Sequence, residues 1–217
     1  FLWLWHLFFY LMKISTWNVN SVNARIEHLE KFIKKDQSDI YLLQELKTIE
    51  DGFPKEIINN AGYYSYVNGQ KAWNGVAILS KEKLEITNTS IPKYDDPNAR
   101  FIETEIQLKK IKKNIKLINI YLPNGNPIET EKFDYKIEWM KKFNSYIQEL
   151  KDKNIPIIIS GDFNVIPSDD DVYSPENFKN DACAHPLTRE QYRILINMGF
   201  TDLVKHFVEG KTNWTFW

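Results

Sequence analysis

The sequence predicts an α/β sandwich, in which β-strands gather into sheets that helices cover. Apolar runs typical of buried strands occupy residues 39–45, 75–80 and 155–160. Amphipathic helical spacing separates them, at residues 21–35 and 130–153. Because the strands come in clusters instead of alternating regularly with helices, a sandwich is favoured over a continuously alternating parallel sheet.

The remaining elements are predicted by shorter patterns. Residues 14–18 alternate as a short first strand, before the first helix. Residues 100–108 alternate strictly, which predicts an antiparallel strand with one wet face, and residues 115–122 are its expected hairpin partner. A further helix is expected to start at Thr188, where Thr188-Arg-Glu-Gln191 has the form of a capping box, and to end at Gly199.

Composition indicates a single globular domain over residues 12–217. The chain has 217 residues, of which 43% are hydrophobic and 26% charged, enough to bury a sizeable core. Its one cysteine, Cys183, excludes an intramolecular disulfide and a cysteine-rich zinc site. A reducing, cytoplasmic location is therefore expected.

The first eleven residues are almost wholly apolar, unlike the rest of the chain. They lack the positive segment and cleavage site of a signal peptide, and they are shorter than the roughly 20 residues that a membrane-spanning helix needs. We interpret residues 1–11 as an artefactual extension upstream of Met12, with a membrane-surface anchor as the alternative. No membrane partner is expected for the remaining residues.

The formal net charge of −1 argues against a protein that holds nucleic acid by overall positive charge. Any contact with nucleic acid must therefore use a local surface. The most evident basic run lies between two predicted strands and comprises Lys109, Lys110, Lys112, Lys113 and Lys116. A solvated hairpin tip explains this run better than a phosphate-binding patch.

Polar side chains end several predicted strands, where they cannot serve the core. They are Asn18, Glu45, Tyr121, Asp162 and Asn164. Strand ends meet at one rim of a sheet, where sites are commonly assembled. Each residue alone is explained by solvation, turn formation or packing, but together they form a set of hard oxygen ligands that suits Mg²⁺.

Within Gly161-Asp-Phe-Asn164, the two-residue period of extended chain places Asp162 and Asn164 on the same side. One could polarise a water while the other holds a phosphate oxygen. Phosphoryl transfer needs a positioned nucleophile, a cation and hydrogen-bond donors to the phosphate oxygens. The segment therefore makes phosphate-ester chemistry a candidate function.

Five segments resemble exodeoxyribonuclease III, of the endonuclease/exonuclease/phosphatase superfamily, in order and spacing. They are Thr16-Trp-Asn-Val-Asn-Ser21, Leu43-Gln-Glu-Leu-Lys47, Gly69-Gln-Lys-Ala-Trp-Asn-Gly-Val-Ala-Ile-Leu-Ser80, Asn119-Ile-Tyr-Leu-Pro-Asn-Gly125 and Ser160-Gly-Asp-Phe-Asn-Val165. The Gly-Gln-Lys and Tyr-x-Pro-x-Gly segments point to the DNA-repair branch. The resemblance implies a four-layer sandwich of two packed mixed β-sheets flanked by helices.

The resemblance also implies a role for each candidate residue. Glu45 would be the principal ligand of Mg²⁺, for which Mn²⁺ can substitute, and Asn18 would support the metal and the phosphate. Tyr121 would contact the scissile phosphate, Asp162 would orient and activate water, and Asn164 would hold the phosphate. The implied substrate is duplex DNA with abasic sites or 3′ ends, and the implied activities are those of an endonuclease and a 3′-to-5′ exonuclease. A monomer is the default expectation.

The sequence departs from the family at its end. The family continues to an Arg-Ile-Asp strand and a Ser-Asp-His ending, whereas this sequence stops at Trp217. We therefore expect a sheet lacking its last strands, poor solubility and little activity from the 217 residues alone. His185 and His206 lie in no matching motif and are interpreted as local hydrogen-bonding residues.

Two alternatives to a DNA-repair nuclease remain. One is a superfamily phosphodiesterase or phosphatase that acts on RNA or phosphorylated small molecules, against which the segment at residues 69–71 speaks. The other is a catalytically dead DNA-binding remnant.

Overall fold

The computed structural model describes residues 12–108, 113–207 and Trp214. These residues form two compact units. The first runs to Ser90 and continues over Asp95–Tyr121 and Ile157–Asp162, and the second takes the other segments after Ser90. The apolar extension, residues 109–112 of the lysine run and the last three residues lie outside the described part. The expectation of one domain over residues 12–217 stays a prediction.

The first sheet of unit 1 has the strand order β1-β2-β4-β3. Its β1–β2 pair is parallel and its other pairs are antiparallel, so the sheet is mixed. Helices α1 and α2 cover one face, where Leu29, Ile33 and Ile58 pack against Tyr41 and Leu43 of β2. The elements are β1 (Ile14–Asn18), α1 (Ile26–Asp36), β2 (Ile40–Gln44), α2 (Lys55–Asn60), β3 (Tyr64–Asn68) and β4 (Val76–Ser80).

The second sheet of unit 1 has the order β5-β6-β7-β8. The β5–β6 and β6–β7 pairs are antiparallel, whereas β7 and β8 run parallel in a register that pairs Tyr121 with Asp162. The strands are β5 (Ile86–Asn88), β6 (Phe101–Leu108), β7 (Lys113–Tyr121) and β8 (Ile157–Asp162). This sheet is therefore also mixed.

The two sheets pack face to face through their apolar side chains. From the first sheet come Leu42 and Ile78, and from the second come Ile102, Ile106 and Leu117. In β2, successive residues alternate between this interface and the helix-covered face, which explains why the whole strand is buried. Two mixed four-stranded sheets with flanking helices confirm the predicted fold class.

The prediction that one face of β6 is exposed to solvent is wrong for the first half of the strand. Glu103 is fully buried, and its carboxylate lies 3.0 Å from the Lys116 ammonium. Thr87 and Asn88 also donate hydrogen bonds to the Glu103 carboxylate. Because β5 lies beside β6, these partners compensate the desolvated charge, whereas Glu105, further along the strand, is exposed.

Unit 2 is helical, with α3 (Glu131–Asp152), α4 (Pro186–Asn197) and α5 (Leu203–Phe207). The predicted start of α4 at Thr188 is wrong. His185 caps the helix, since its Nδ1 accepts a 3.2 Å hydrogen bond from the Leu187 backbone, and Pro186 occupies the first helical position. Thr188 is buried inside the helix and donates to the Ala182 carbonyl at 2.7 Å.

No helix in the described part of the chain is both long and apolar enough to span a bilayer.

Candidate active site

Four of the five predicted site residues lie at neighbouring strand ends of unit 1. Asn18 ends β1, and Glu45 comes directly after β2, the parallel neighbour of β1. Tyr121 and Asp162 end the parallel strands β7 and β8 and face each other in register. The parallel pair of each sheet thus delivers two polar side chains at its carboxyl end.

The amide of Asn18 joins the two sheets at this rim. Its Nδ2 donates a 2.9 Å hydrogen bond to Oε1 of Glu45 and a 2.8 Å bond to Oδ2 of Asp162. Its own Oδ1 accepts from the backbone N–H of Asn20 at 3.0 Å, which fixes the orientation of the amide. Both carboxylates therefore lie within hydrogen-bonding distance of one nitrogen atom.

Glu45 occupies a backbone conformation that side chains rarely adopt. Its φ is +53°, in the left-handed region, as the chain turns out of β2. This backbone conformation costs free energy in any residue other than glycine. It persists where the surrounding structure imposes it, as often happens at functional sites. The turn directs the Glu45 carboxylate towards Asn18 and leaves the side chain 19% exposed.

Lys47 brings a positive charge to the Glu45 carboxylate. Its ammonium lies 3.1 Å from Oε2 of Glu45 and also donates to Oδ1 of Asn20. The same ammonium lies 5.7 Å from the ring centre of Trp73, whose side chain is largely exposed. The Lys47 ammonium therefore pairs directly with the Glu45 carboxylate at the rim.

Tyr121 remains protonated in this environment. Burial, then the negative charge of Glu45 and a hydrogen bond with its carboxylate, raise the pKa of the Tyr121 phenol well above its ordinary value. The Arg100 guanidinium lies 5.0 Å from the Tyr121 ring centre, and its Nη1 donates to the Tyr121 carbonyl at 3.2 Å. A neutral phenol that is held in this way can donate a hydrogen bond to an anionic oxygen.

A buried amide pair supports these strand ends from behind. The Gln44 side chain donates a 2.7 Å hydrogen bond to Oδ1 of Asn119, and Asn119 in turn donates to the backbone carbonyls of Leu43 and Ala77. Gln44 directly precedes Glu45, and Asn119 lies two residues before Tyr121. Both amides are buried, so they connect the two sheets where the site residues emerge.

The Gly69-Gln-Lys71 segment forms a loop beside the turn after Glu45. A Cβ on Gly69 would lie 2.7 Å from the Thr48 carbonyl oxygen, so only glycine fits there. Oε1 of Gln70 accepts hydrogen bonds from the Asn74 side chain and the Ala99 backbone, both at 2.9 Å. Lys71 itself is exposed.

Asn164, the fifth predicted residue, belongs to unit 2. Its Nδ2 donates to the Leu122 carbonyl at 2.8 Å, and its Oδ1 lies 3.4 Å from Nδ2 of Asn124. The Cys183 thiol is 3.9 Å from the same Oδ1. Asn164 comes two residues after Asp162, but its predicted role in the site stays a prediction.

The donor set at the rim fits a hard divalent cation. Among the described residues, no three His, Cys, Asp or Glu side chains cluster so that they could hold a metal ion. The rim instead offers two carboxylates, Glu45 and Asp162, with the amide of Asn18 between them. Such a set suits Mg²⁺, which keeps several waters and needs only one or two protein carboxylates.

Comparison with known proteins agrees with this architecture. The sequence model of the endonuclease/exonuclease/phosphatase family matches residues 15–217. The chain belongs to this family. Exodeoxyribonuclease III of Haemophilus influenzae is 35% identical over 203 residues, covering 88% of this chain and 74% of the relative. An exodeoxyribonuclease of Bacillus subtilis is 30% identical over 211 residues, covering 94% of this chain and 79% of the relative.

Solved structures of family members share the fold. An AP endonuclease from Archaeoglobus fulgidus superposes with a TM-score of 0.86 at 31% identity, covering 95% of this chain and 78% of that chain. A 3′ phosphatase from Neisseria, bound to a product DNA hairpin, gives a TM-score of 0.83 at 31% identity, with coverages of 90% and 74%. The two-sheet architecture is therefore that of the family.

His185 and His206, the histidines of the second half of the chain, both lie away from the strand-end residues in sequence and contact aromatic rings. The His185 ring caps α4 and contacts the Phe133 ring, with the ring centres 4.5 Å apart. His206 is exposed on α5, with its ring 4.8 Å from that of Phe207. The contacts of His185 agree with its interpretation as a local hydrogen-bonding residue. The position of neither ring indicates a part in the family's chemistry.

Three residues that contact the site had no predicted role. They are Gln44, Lys47 and Arg100. Gln44 and Lys47 lie at one and two residues from Glu45, so their place in the Leu43-Gln-Glu-Leu-Lys47 segment was an available signal. Arg100 was missed because its contact with Tyr121 depends on the register of β6 against β7, whereas the sequence predicted only that the two strands pair.

Proposed function

We propose that the protein is a Mg²⁺-dependent phosphodiesterase that cuts duplex DNA at abasic sites and removes nucleotides from 3′ ends. The observation that carries the proposal is the Asn18 amide, which binds Glu45 and Asp162 together at the carboxyl ends of two parallel strand pairs. The names of the family relatives support the substrate, since they include exodeoxyribonuclease III and an AP endonuclease.

Glu45 and Asn18 are the proposed metal-holding residues. When bound, Mg²⁺ would supply positive charge to the phosphate and to the charge that develops in the reaction, and Mn²⁺ would substitute. Glu45 contributes a carboxylate that already pairs with the Lys47 ammonium. Asn18 orients that carboxylate through its amide and is proposed to support the phosphate as well.

The proposed catalytic residues are Tyr121, Asp162 and Asn164. Asp162 would orient the attacking water and hold its proton at a carboxylate oxygen, while the Asn18 amide fixes the carboxylate. Tyr121, kept neutral by its surroundings, would donate a hydrogen bond from its phenolic O–H to a non-bridging phosphate oxygen. Asn164 is proposed to hold a further phosphate oxygen, a role that rests on its position in the family segment.

We further propose that the protein works as a monomer in the cytoplasm. The single cysteine of the sequence gives it no intramolecular disulfide to lose in a reducing compartment.

The test is cleavage of a labelled duplex oligonucleotide carrying one stable abasic-site analogue. The full natural gene product should cut the abasic strand with Mg²⁺ or Mn²⁺, lose activity in excess chelator and regain it when Mg²⁺ is restored. The unmodified duplex, a single-stranded RNA and a phosphorylated sugar serve as competing substrates. Faster hydrolysis of the RNA or the sugar would contradict the proposed DNA substrate. Cleavage that persists in chelator would contradict the proposed metal dependence.

A further inference from the structure

The buried lysine of α3 has no role in the proposed chemistry. Lys136 is fully buried, on a helix whose lysines at 132, 141 and 142 are exposed and whose Lys151 is half-buried. Burying an ammonium is costly unless oxygen atoms surround it, so such a residue needs a reason to be inside. Its contacts supply that reason.

The Lys136 ammonium joins two segments of unit 2 that leave paired strands. It donates a 2.9 Å hydrogen bond to the carbonyl of Asn124 and a 2.6 Å bond to the carbonyl of Asn164. Asn124 lies three residues after Tyr121, and Asn164 lies two residues after Asp162. Since Tyr121 and Asp162 are partners in the register of β7 and β8, the lysine connects the two chain segments just after their pairing ends.

The side-chain contacts of Asn164 depend on the same two segments. Its amide donates to the Leu122 carbonyl at 2.8 Å, and its Oδ1 lies 3.4 Å from Nδ2 of Asn124. Lys136 therefore holds the backbone on both sides of the Asn164 side chain.

The absence of a side chain at Gly125 leaves the space that the aliphatic part of Lys136 occupies. A Cβ on Gly125 would lie 2.5 Å from Cδ and 3.1 Å from Cβ of Lys136, and the φ of Gly125 is +87°. Any other residue would push against the stem in a backbone conformation that suits glycine. The glycine of the Tyr-Leu-Pro-Asn-Gly125 segment and the buried lysine thus form one unit.

We propose that Lys136 is a positioning residue, which clamps the segment after Tyr121 to the segment after Asp162 and so fixes the amide of Asn164. The consequence for turnover rests on the proposed function. The clamp itself does not, because it can be measured without any substrate.

Cys183 is a built-in reporter of the clamp. Its thiol lies 3.7 Å from Nδ2 of Asn124 and 3.9 Å from Oδ1 of Asn164, and it is buried. It is the single cysteine of the sequence, so modification by a disulfide reagent such as 5,5′-dithiobis(2-nitrobenzoic acid) reports on this place alone. Local opening of the clamped segments would expose it.

The experiment compares the rate of Cys183 modification in the native protein and in variants of the lysine. Lys136→Met removes the ammonium at similar volume, Lys136→Arg keeps the charge and the donors, and Lys142→Met is the matched control on the exposed side of α3. All variants are measured well below their melting temperatures. We expect modification to be about tenfold faster in Lys136→Met, with Lys136→Arg and Lys142→Met close to the wild type.

A rate in Lys136→Met equal to that of the wild type would overturn the clamp. If Lys136→Met does not fold, the comparison passes to Lys136→Gln, which keeps a neutral N–H donor. Failure of both to fold would also overturn the proposal, because the lysine would then hold the whole fold and not these two segments.

Turnover provides the second readout. In folded Lys136→Met, kcat on abasic-site DNA should fall by about tenfold or more, because misplaced groups slow catalysis, while KM and Mn²⁺ affinity stay within about twofold. Lys136→Arg should recover most of kcat. If the wild type cuts no DNA, the proposed function fails and the thiol rates alone decide the clamp. Faster thiol modification with unchanged kcat would overturn the positioning role.

Discussion

Gln44 donates a 2.7 Å hydrogen bond to Oδ1 of Asn119, and this bond links the two sheets of unit 1 directly behind the candidate site. Gln44 is the last residue of β2 and Asn119 lies near the end of β7, with both side chains buried. A polar link in an apolar interface specifies one relative placement of the strands, since any slip leaves amide groups unsatisfied. The same link therefore fixes the positions of Glu45, the residue after Gln44, and of Tyr121, two residues after Asn119.

Replacing Gln44 by Leu should therefore destabilise the protein. Loss of the donor leaves the Asn119 oxygen buried without this partner, which should lower the free energy of unfolding by about 1–3 kcal/mol in urea titrations. Gln148→Leu, on the exposed face of α3, is the matched control and should change it by less than about 0.5 kcal/mol. Equal stability of the two variants would mean that the amide pair contributes nothing.

Removing the Asp162 charge should slow the reaction without unfolding the protein. Asp162→Asn keeps an oxygen that can accept the Asn18 hydrogen bond but loses the group that orients water, so kcat should fall by about a hundredfold or more. Asp51→Asn, at an exposed position, is the control and should leave kcat unchanged. A near-normal rate in Asp162→Asn would show that another group activates the water.

Acid sensitivity should depend on Asp36 at the end of α1. Hydrogen bonds from Lys13 and then from Ser38 hold the pKa of the Asp36 carboxyl far below its ordinary value. A depressed pKa in the folded protein adds stability above the unfolded value near 4, and that stability is lost as pH falls.

Asp36→Asn removes this titration. Its free energy of unfolding should therefore change less between about pH 5 and pH 2 than that of the wild type. If the free energy of unfolding falls equally in the two proteins over this pH range, Asp36 does not contribute to acid unfolding.

Binding to abasic-site DNA should weaken as salt rises, although the formal net charge of the chain is −1. Phosphate contacts release counterions from DNA whatever charge the distant surface carries, so the logarithm of the affinity should fall linearly with that of the salt concentration. The Asp162→Asn variant, titrated in excess chelator, keeps the substrate intact during fluorescence-anisotropy measurements. An affinity that is flat from low to moderate salt would favour a small-molecule substrate.

The sequence was sufficient to predict which strand ends would converge. Asn18, Glu45, Tyr121 and Asp162 each end or succeed an apolar run, and polar residues at such places have no function in the core. Strand periodicity, with the rule that the ends of parallel strands share a rim, is enough to predict this convergence. The pattern does not fix the register of β6 against β7, on which the contact of Arg100 with Tyr121 depends. Nor does it predict the hydrogen bond between Gln44 and Asn119, which joins two different sheets.

Local patterns failed where a competing interaction was stronger. The helix begins before Thr188, at Pro186, in spite of the capping-box form at Thr188. Pro186 already has the φ of a first helical residue, and the His185 imidazole accepts the cap hydrogen bond. The alternation in β6 indicated solvent around Glu103, but the Lys116 ammonium and the residues of β5 bury it. The short strands β3 and β5 and helix α2 were not predicted, since runs of three to six residues carry little periodicity.

We propose that Glu45, joined to Asp162 through the Asn18 amide, holds the divalent cation of this family member. Mn²⁺ titration, followed by the paramagnetic signal of the free ion, measures this without any DNA. Glu45→Gln should weaken Mn²⁺ binding by about tenfold or more, since even partners outside a metal's ligand sphere alter affinity by that factor. Glu56→Gln, exposed on α2, should bind as the wild type does. Equal Mn²⁺ affinity in Glu45→Gln and the wild type would contradict the account.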